Sequence, residues 1–286
     1  MMAVAVALMC GCEKAIDGAE SESVAGKTKK FTFTVNGDYG VTMSDFEDTR
    51  GYLSENAEQL TDLWLFDYMG GECVQTIHQS STDENFGVPT LTLAYGTHHI
   101  YFVASRGQEP TVTAASHKIS WVGPRDTFWK DYEVTVVNTS NGNRAVTLDR
   151  VATRLRVTVN DEIPTGAASI VITPATWYYG LDYVSGEPTD VAASQNRVVS
   201  IPSQYVGTSG QLVVGIFGMC GASQFSTNVG VAVKNAGGDV LGAGTITGAP
   251  FKRNRTTDCA GSLFSTPDGA NVSVDSSWDD DYAVQF

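Results

Sequence analysis

Lys30-Phe31-Thr32-Phe33-Thr34-Val35-Asn36-Gly37 alternates strictly, with Phe31, Phe33 and Val35 on one side and threonines on the other. Successive side chains of a strand point to opposite faces, so this period predicts a strand with one buried face, and Asn-Gly ends it in a turn. Comparable stretches follow at Leu60 to Asp67, Glu72 to His78, Val88 to Ala94, His98 to Ser105 and Tyr132 to Val137. Within the first of these, Leu63-Trp64-Leu65-Phe66 is apolar on both sides. That predicts a central strand covered on both faces. Between Asp38 and Gln59 the pattern weakens, and Ser44-Asp45-Phe46-Glu47 reads as the cap of a brief helix.

A second series begins at Val151, where Leu155, Val157 and Val159 alternate with Arg154, Arg156 and Thr158. Further strands are predicted at Ser169 to Thr173, Arg197 to Ile201, Gln211 to Phe217, Val229 to Lys234, Val240 to Ile246, Thr256 to Phe264 and Asn271 to Val274. Ala236-Gly237-Gly238-Asp239 reads as a hairpin turn. Many short strands separated by turn residues predict an all-β protein of sandwich or barrel type. A boundary near Leu148 divides the chain into an N-terminal β-sandwich, 29–148, and a C-terminal one, 149–286, each of ordinary domain size.

The N-terminus follows a different rule. Met1 to Cys12 is almost wholly apolar but too short to span a bilayer, which takes about 20 residues. An apolar run of this length ending in small residues fits a secretory signal. Met9-Cys10-Gly11-Cys12 resembles a bacterial lipobox, with Gly11 at the cut and Cys12 the acylated residue. Cys10, preceded by Met9, suits the role less well, and a buried N-terminal strand is the alternative for the whole run. No Lys or Arg precedes it, although a signal of this kind carries a basic region there; one explanation is a true start a few residues upstream. Residues 1–11 are thus read as a lipoprotein signal peptide, and the polar, linker-like stretch 12–28 as a flexible tether.

Composition narrows the partners. Among 286 residues, 29 are glycine and 42% are hydrophobic, which suits a folded protein rich in turns and strands. With 18 basic against 32 acidic residues the net charge is −14, which argues against nucleic acid as a partner. Lys252-Arg253-Asn254-Arg255 is a short basic cluster, read as a solvated strand edge or loop. Beyond the lipobox, Cys73, Cys220 and Cys259 have no zinc-ligand spacing and read as inert buried thiols, with pairing of Cys220 and Cys259 left open.

Catalytic motifs are missing from the sequence. His78, His98, His99 and His117 fall in no metal-binding pattern, and on a regular strand His98 and His99 face opposite ways. No nucleophile elbow, phosphate loop or dinucleotide fingerprint occurs, so no enzyme, metal or cofactor is expected. Trp177, Tyr178, Tyr179 and Tyr183, in a Gly-containing loop, offer aromatic rings that could stack on a glycan or close a sandwich core. Asp279-Asp280-Asp281 lacks calcium-loop spacing and reads as an exposed acidic tail.

Four stretches carry a resemblance. They are Gln59 to Met69 with Gly71-Glu72, Leu148-Asp149-Arg150-Val151-Ala152-Thr153-Arg154-Leu155, Asn254-Arg255-Thr256-Thr257 with Gly261-Ser262-Leu263-Phe264, and Val272-Ser273-Val274 with Trp278. Together they resemble the FimB-like fimbrial anchor proteins of the Bacteroidales fimbrillin superfamily. The resemblance implies two tandem transthyretin-like, Greek-key β-sandwiches held at the outer membrane, on the cell surface, by a palmitate-type lipid at Cys12. It also implies a role in fimbrium assembly and adhesion, with fimbrial subunits as partners by β-strand addition and host or bacterial surface ligands as further candidates. Arg50 lies where polymerising fimbrillins are cut by a trypsin-like protease. Two alternatives stay open: a shaft or tip fimbrillin matured at Arg50, and a glycan-binding surface lipoprotein that uses the aromatic loop.

Overall fold

The structure is a computed structural model, in which residues 26–37, 60–191, 196–264, 273–274 and 282–285 are described. The helix expected at Ser44 to Glu47 and the acidic run Asp279 to Asp281 lie outside those residues. The first half supplies β1 (Thr28–Gly37), β2 (Asp62–Met69), β3 (Glu72–Ser80), β4 (Thr90–Ala94), β5 (Gly96–Ser105), β6 (Thr111–Thr113), β7 (Lys118–Ser120), β8 (Thr127–Val136) and β9 (Asn143–Arg150).

Seven of these form one continuous ladder in the order β3-β2-β5-β8-β9-β1-β4. Its weak link is β8 to β9, joined only through Phe128 with Arg150 and Trp129 with Asp149. There the ladder folds over on itself. Leu63 and Leu65 of β2, Ile100 and Phe102 of β5, and Val134 and Val136 of β8 then pack against Phe31 and Phe33 of β1, Leu91 and Leu93 of β4, and Val146 and Leu148 of β9. The alternation along each strand thus becomes the inside and outside of a sandwich.

After Val151 the chain builds β10 (Ala152–Val159), β11 (Ala167–Pro174), β12 (Tyr178–Asp182), β13 (Pro188–Val191), β14 (Arg197–Ser200), β15 (Leu212–Met219), β16 (Phe225–Asn235), β17 (Val240–Phe251), β18 (Thr256–Gly261), β19 (Ser273–Val274) and β20 (Tyr282–Gln285). Sheet β15-β10-β18-β20-β19 faces sheet β14-β11-β16-β17. Leu155, Val157 and Val159 from the first meet Ile170, Ile172, Val229, Val231 and Val233 from the second. The β16–β17 hairpin turns at Ala236 to Asp239, where Gly238 has φ +91°, a conformation that favours glycine.

A third sheet joins the halves. In the order β13-β12-β7-β6, strand β7 from before Leu148 pairs with β12 from after it, through Ile119 with Leu181. Trp64, Phe66, Tyr68, Tyr101 and Val103, the side chains of β2 and β5 that face away from the first core, meet Leu181, Tyr183 and Met219 across this seam. Leu63 to Phe66 is therefore covered on both faces, one by its own sandwich and the other by the second half. Strands β6, β7, β9, β12, β13 and β20 were not anticipated by the alternation, and Trp177 to Tyr183 runs into strand β12 instead of forming a loop. Cys73, expected to be buried, is exposed because it sits on the edge strand β3, whereas Cys220 and Cys259 are buried free thiols.

Candidate functional site

Strand β1 is the element of the first sandwich whose place is least dictated by chain order, since it lies between β9 and β4, far from its neighbour β2. It runs parallel to β9, from Thr32 with Asn143 to Gly37 with Leu148. To β4 it runs antiparallel, from Thr28 with Ala94 to Thr32 with Thr90. Loop carbonyls extend the ladder: the Thr32 amide donates to Gly142 at 2.7 Å, Phe33 to Pro89 at 3.0 Å and Val35 to Gly87 at 2.9 Å. A Cβ on Gly142 would come within 2.4 Å of the Lys30 carbonyl oxygen, so only glycine lets the β8–β9 loop approach β1 this closely.

The inward side chains of β1 fill the groove between its neighbours. Phe31 and Phe33 are both 0% exposed. Phe33 meets Phe102 edge-on at 5.5 Å and Tyr132 at 5.8 Å between ring centroids. Arg144 lies over the Phe31 ring at 5.3 Å. Burying two such rings contributes about 1.5–3 kcal/mol each relative to exposure. Residues 38–59, which contain Arg50 and join β1 to β2, lie outside the described residues, as do Cys12 and the lipobox.

The aromatic group is brought together, but as core. Trp177 and Tyr183 are buried, Tyr179 is buried beneath Arg197, whose guanidinium carbon is 4.8 Å from the ring centre, and Tyr178 is half-buried against Phe225. Trp177 donates from Nε1 to the Phe217 carbonyl at 2.9 Å, and Gly218 leaves it room. Tyr183 stacks on Phe66 at 3.8 Å and its hydroxyl meets that of Tyr68 at 3.2 Å, with burial pushing its phenol well above the usual range. The four rings therefore present no continuous flat face for a sugar, because pairing of β12 with β7 and β13 turns them into the sandwich core and the seam.

Elsewhere, Arg253 of the basic cluster donates to the carbonyls of Cys220 and Gly186, tying that turn to the end of β15 and to the β12–β13 turn. Burial pushes the Cys220 thiol up to about 11. His98 and His99 do face opposite ways, His98 buried against Asp67 and His99 exposed beside Asp131. Sequence reading missed the buried pairing of Asp67 with His98. The available signal was phase: Asp67 continues the inward positions of Leu63 and Leu65, and His98 those of Ile100 and Phe102.

Two facing-sheet sandwiches, joined by a shared sheet and with the N-terminal strand built into the first, define the class of this protein. The chain belongs to a family of unknown function, DUF6562, whose model matches residues 110–285. No curated protein matches its sequence. Among solved structures, a candidate adhesin from Bacteroides ovatus is similar over 84% of this chain and 88% of its own, with 8% identity and a TM-score of 0.51. A second candidate adhesin from Bacteroides ovatus is similar over 76% of this chain and 77% of its own, at 10% identity and a TM-score of 0.50. The fimbrial anchor protein Mfa2 from Porphyromonas gingivalis aligns over 77% of this chain and 84% of its own, at 13% identity and a TM-score of 0.44. What the likenesses to the two adhesins establish is the shared β-sandwich fold.

Proposed function

We propose that this chain is a lipid-anchored outer-membrane protein of the cell surface, acylated at Cys12, that acts as a fimbrial anchor or accessory subunit in adhesion. The observation that supports it is the seating of β1. A lipid at Cys12 would reach the body of the protein only through this strand, whose Phe31 and Phe33 are locked in the first core. An anchor of this design keeps its N-terminal strand and stays whole through Arg50. One acyl chain binds a membrane only marginally, so the multiply acylated cysteine of a lipoprotein is what would hold it stably. The fold shared with candidate adhesins supports a surface role. Among the described residues no helix is long and apolar enough to cross a membrane. The reading assigns no catalytic chemistry, takes 29–148 and 149–286 as its two structural units, and names fimbrial subunits as partners by β-strand addition.

The test is metabolic labelling with palmitate, paired with mass spectrometry of the mature N-terminus. Label that disappears in Cys12→Ala supports the anchor, and unlabelled wild-type protein overturns it. A mature chain beginning at Gly51 would instead favour a shaft or tip subunit. That second reading rests on Arg50 lying in the segment between β1 and β2, where a cut would leave β1 held by non-covalent contacts alone. A glycan-binding role through Trp177, Tyr178, Tyr179 and Tyr183 loses its basis with the burial of three of the four rings.

A further inference from the structure

Asp67 and His98 are each 1% exposed, and imidazole Nδ1 lies 2.7 Å from carboxyl Oδ1. The other ring nitrogen, Nε2, lies 3.0 Å from the carbonyl oxygen of Ala94. A carbonyl oxygen can only accept a hydrogen bond, and an ionised carboxylate can only accept as well. A neutral imidazole has one N–H. Beside an ionised Asp67 it could satisfy one of these oxygens and would press a lone pair against the other. Turning the ring over would put a carbon where each nitrogen stands and give up both contacts. Both contacts therefore require one further proton, on the ring as an ion pair or on the carboxyl group beside a neutral ring.

Most of the described side chains that share the pair's side of the sheet are apolar. Leu65 and Met69 of β2, Ile100 of β5, and Val134 and Val136 of β8 share the inward phase of the pair. Phe31 and Leu93 belong to the facing layer, and Lys29 at the start of β1 sends its Nζ to the Asn138 carbonyl. His99, Asp131 and Glu133 occupy the opposite phase of β5 and β8 and pair with one another outside. Burial raises the Asp67 carboxyl, which His98 partly opposes.

The position of the third partner gives the pair its reach. Ala94 ends β4 and pairs with Thr28 of β1. Tyr95 alone separates β4 from β5, carrying the chain from one layer to the other, and its amide donates to the Lys27 carbonyl at 3.0 Å. We propose that the proton shared by Asp67 and His98 locks this corner, and through it strand β1, so that β1 is held at mildly acidic to neutral pH and loosens as the solution turns alkaline.

The direction follows from linkage. In the unfolded chain the carboxyl is ionised above about pH 3.9 and a free imidazole loses its proton near about pH 6.5. Keeping both contacts of the ring requires the folded pair to hold one proton beyond that point. Its contribution is complete between about pH 3.9 and 6.5, where both states hold one proton, and is lost as pH rises from there to the value at which the folded pair releases the proton.

Hydrogen exchange on the whole chain between pH 6 and pH 10, corrected for intrinsic exchange, tests this. Above about pH 6.5, up to the point at which the folded pair releases its proton, the opening equilibria read at the Phe33 and Tyr95 amides should rise about tenfold per pH unit and then level off. Asp67→Asn supplies a permanent N–H to the ring, so its profile should be flat with β1 retained, while His98→Gln should loosen the corner across the range. A flat wild-type profile, or an unchanged slope in Asp67→Asn, overturns the lock. Nitrogen NMR of the wild-type ring is an independent check should a variant fail to fold: one N–H beside an ionised Asp67 at pH 6 also overturns it. None of these readouts depends on acylation, so their failure would leave the anchor reading intact.

Discussion

If β1 is part of the first core, Phe33→Ala is the substitution that exposes it. The ring is 0% exposed and is enclosed by Phe31, Phe102 and Tyr132. Truncation removes the transfer energy of an aromatic ring and leaves a cavity lined by rings from both layers, which cannot close without shifting two sheets. Changes of this kind cost about 3–5 kcal/mol. Domains are commonly stable by only about 5–15 kcal/mol, so the loss is a large share of the total.

The assay is urea unfolding followed by tryptophan fluorescence and far-ultraviolet circular dichroism, with coincident transitions required before a free energy is drawn. With a slope of about 2 kcal/mol per molar urea, the midpoint should fall by about 2 M. Thr34→Ala, on the exposed side of the same strand, should stay within about 0.5 kcal/mol. A loss below about 1 kcal/mol for Phe33→Ala would refute the seating of β1. Equal losses at positions 33 and 34 would refute the assignment of faces. A double-mutant cycle with Phe102 should return a coupling of about 0.5–1.5 kcal/mol for the edge-on ring contact.

Gly142→Ala should cost about 1–3 kcal/mol and weaken exchange protection at the Thr32 amide, because the new methyl would meet the Lys30 carbonyl and push the loop off β1; an unchanged midpoint would refute the close approach. Tyr183→Phe leaves the Tyr68 hydroxyl without its partner across the seam and should cost about 1–3 kcal/mol by the same unfolding assay. Iodoacetamide applied to the native protein at pH 8 should modify exposed Cys73 and spare Cys220, whose thiol burial pushes up to about 11, and Cys259, raised by burial as well. Peptide mapping reads this out, and equal labelling of Cys73 and Cys259 would refute the buried placement.

Strands that stand alone in sequence were legible: the side chains of β1 and β10 alternate over a long run and β2 and β5 carry continuous apolar runs, and both patterns are local properties of the chain. Strands β6 and β7 are each three residues long, too short for a period to register, and they exist because β12 supplies a pairing edge from the other half. Trp177 to Tyr183 misled for the same reason. A cluster of large rings beside glycine has the composition of an exposed loop until a partner strand covers it. The site was half legible: the residues of β1 could be read directly, whereas the parallel pairing of β1 with β9 joins positions more than a hundred residues apart and leaves no local mark.

The two ladders that hold β1 are staggered. Residues Thr28 to Thr32 pair with β4, and Thr32 to Gly37 pair with β9, so Thr32 is the one residue that registers with both. Over most of its length β1 therefore has a regular strand on one side and, on the other, only loop carbonyls such as those of Gly87 and Pro89. A strand held by a full ladder on each side would resist removal mainly through its backbone. Here Phe31 and Phe33 straddle the point where one ladder hands over to the other, so the side chains in the core must carry a larger share of the hold. Retention of β1 should consequently respond more to what happens inside the sandwich, at Phe33 or at the Asp67–His98 corner, than to trimming of its exposed threonines.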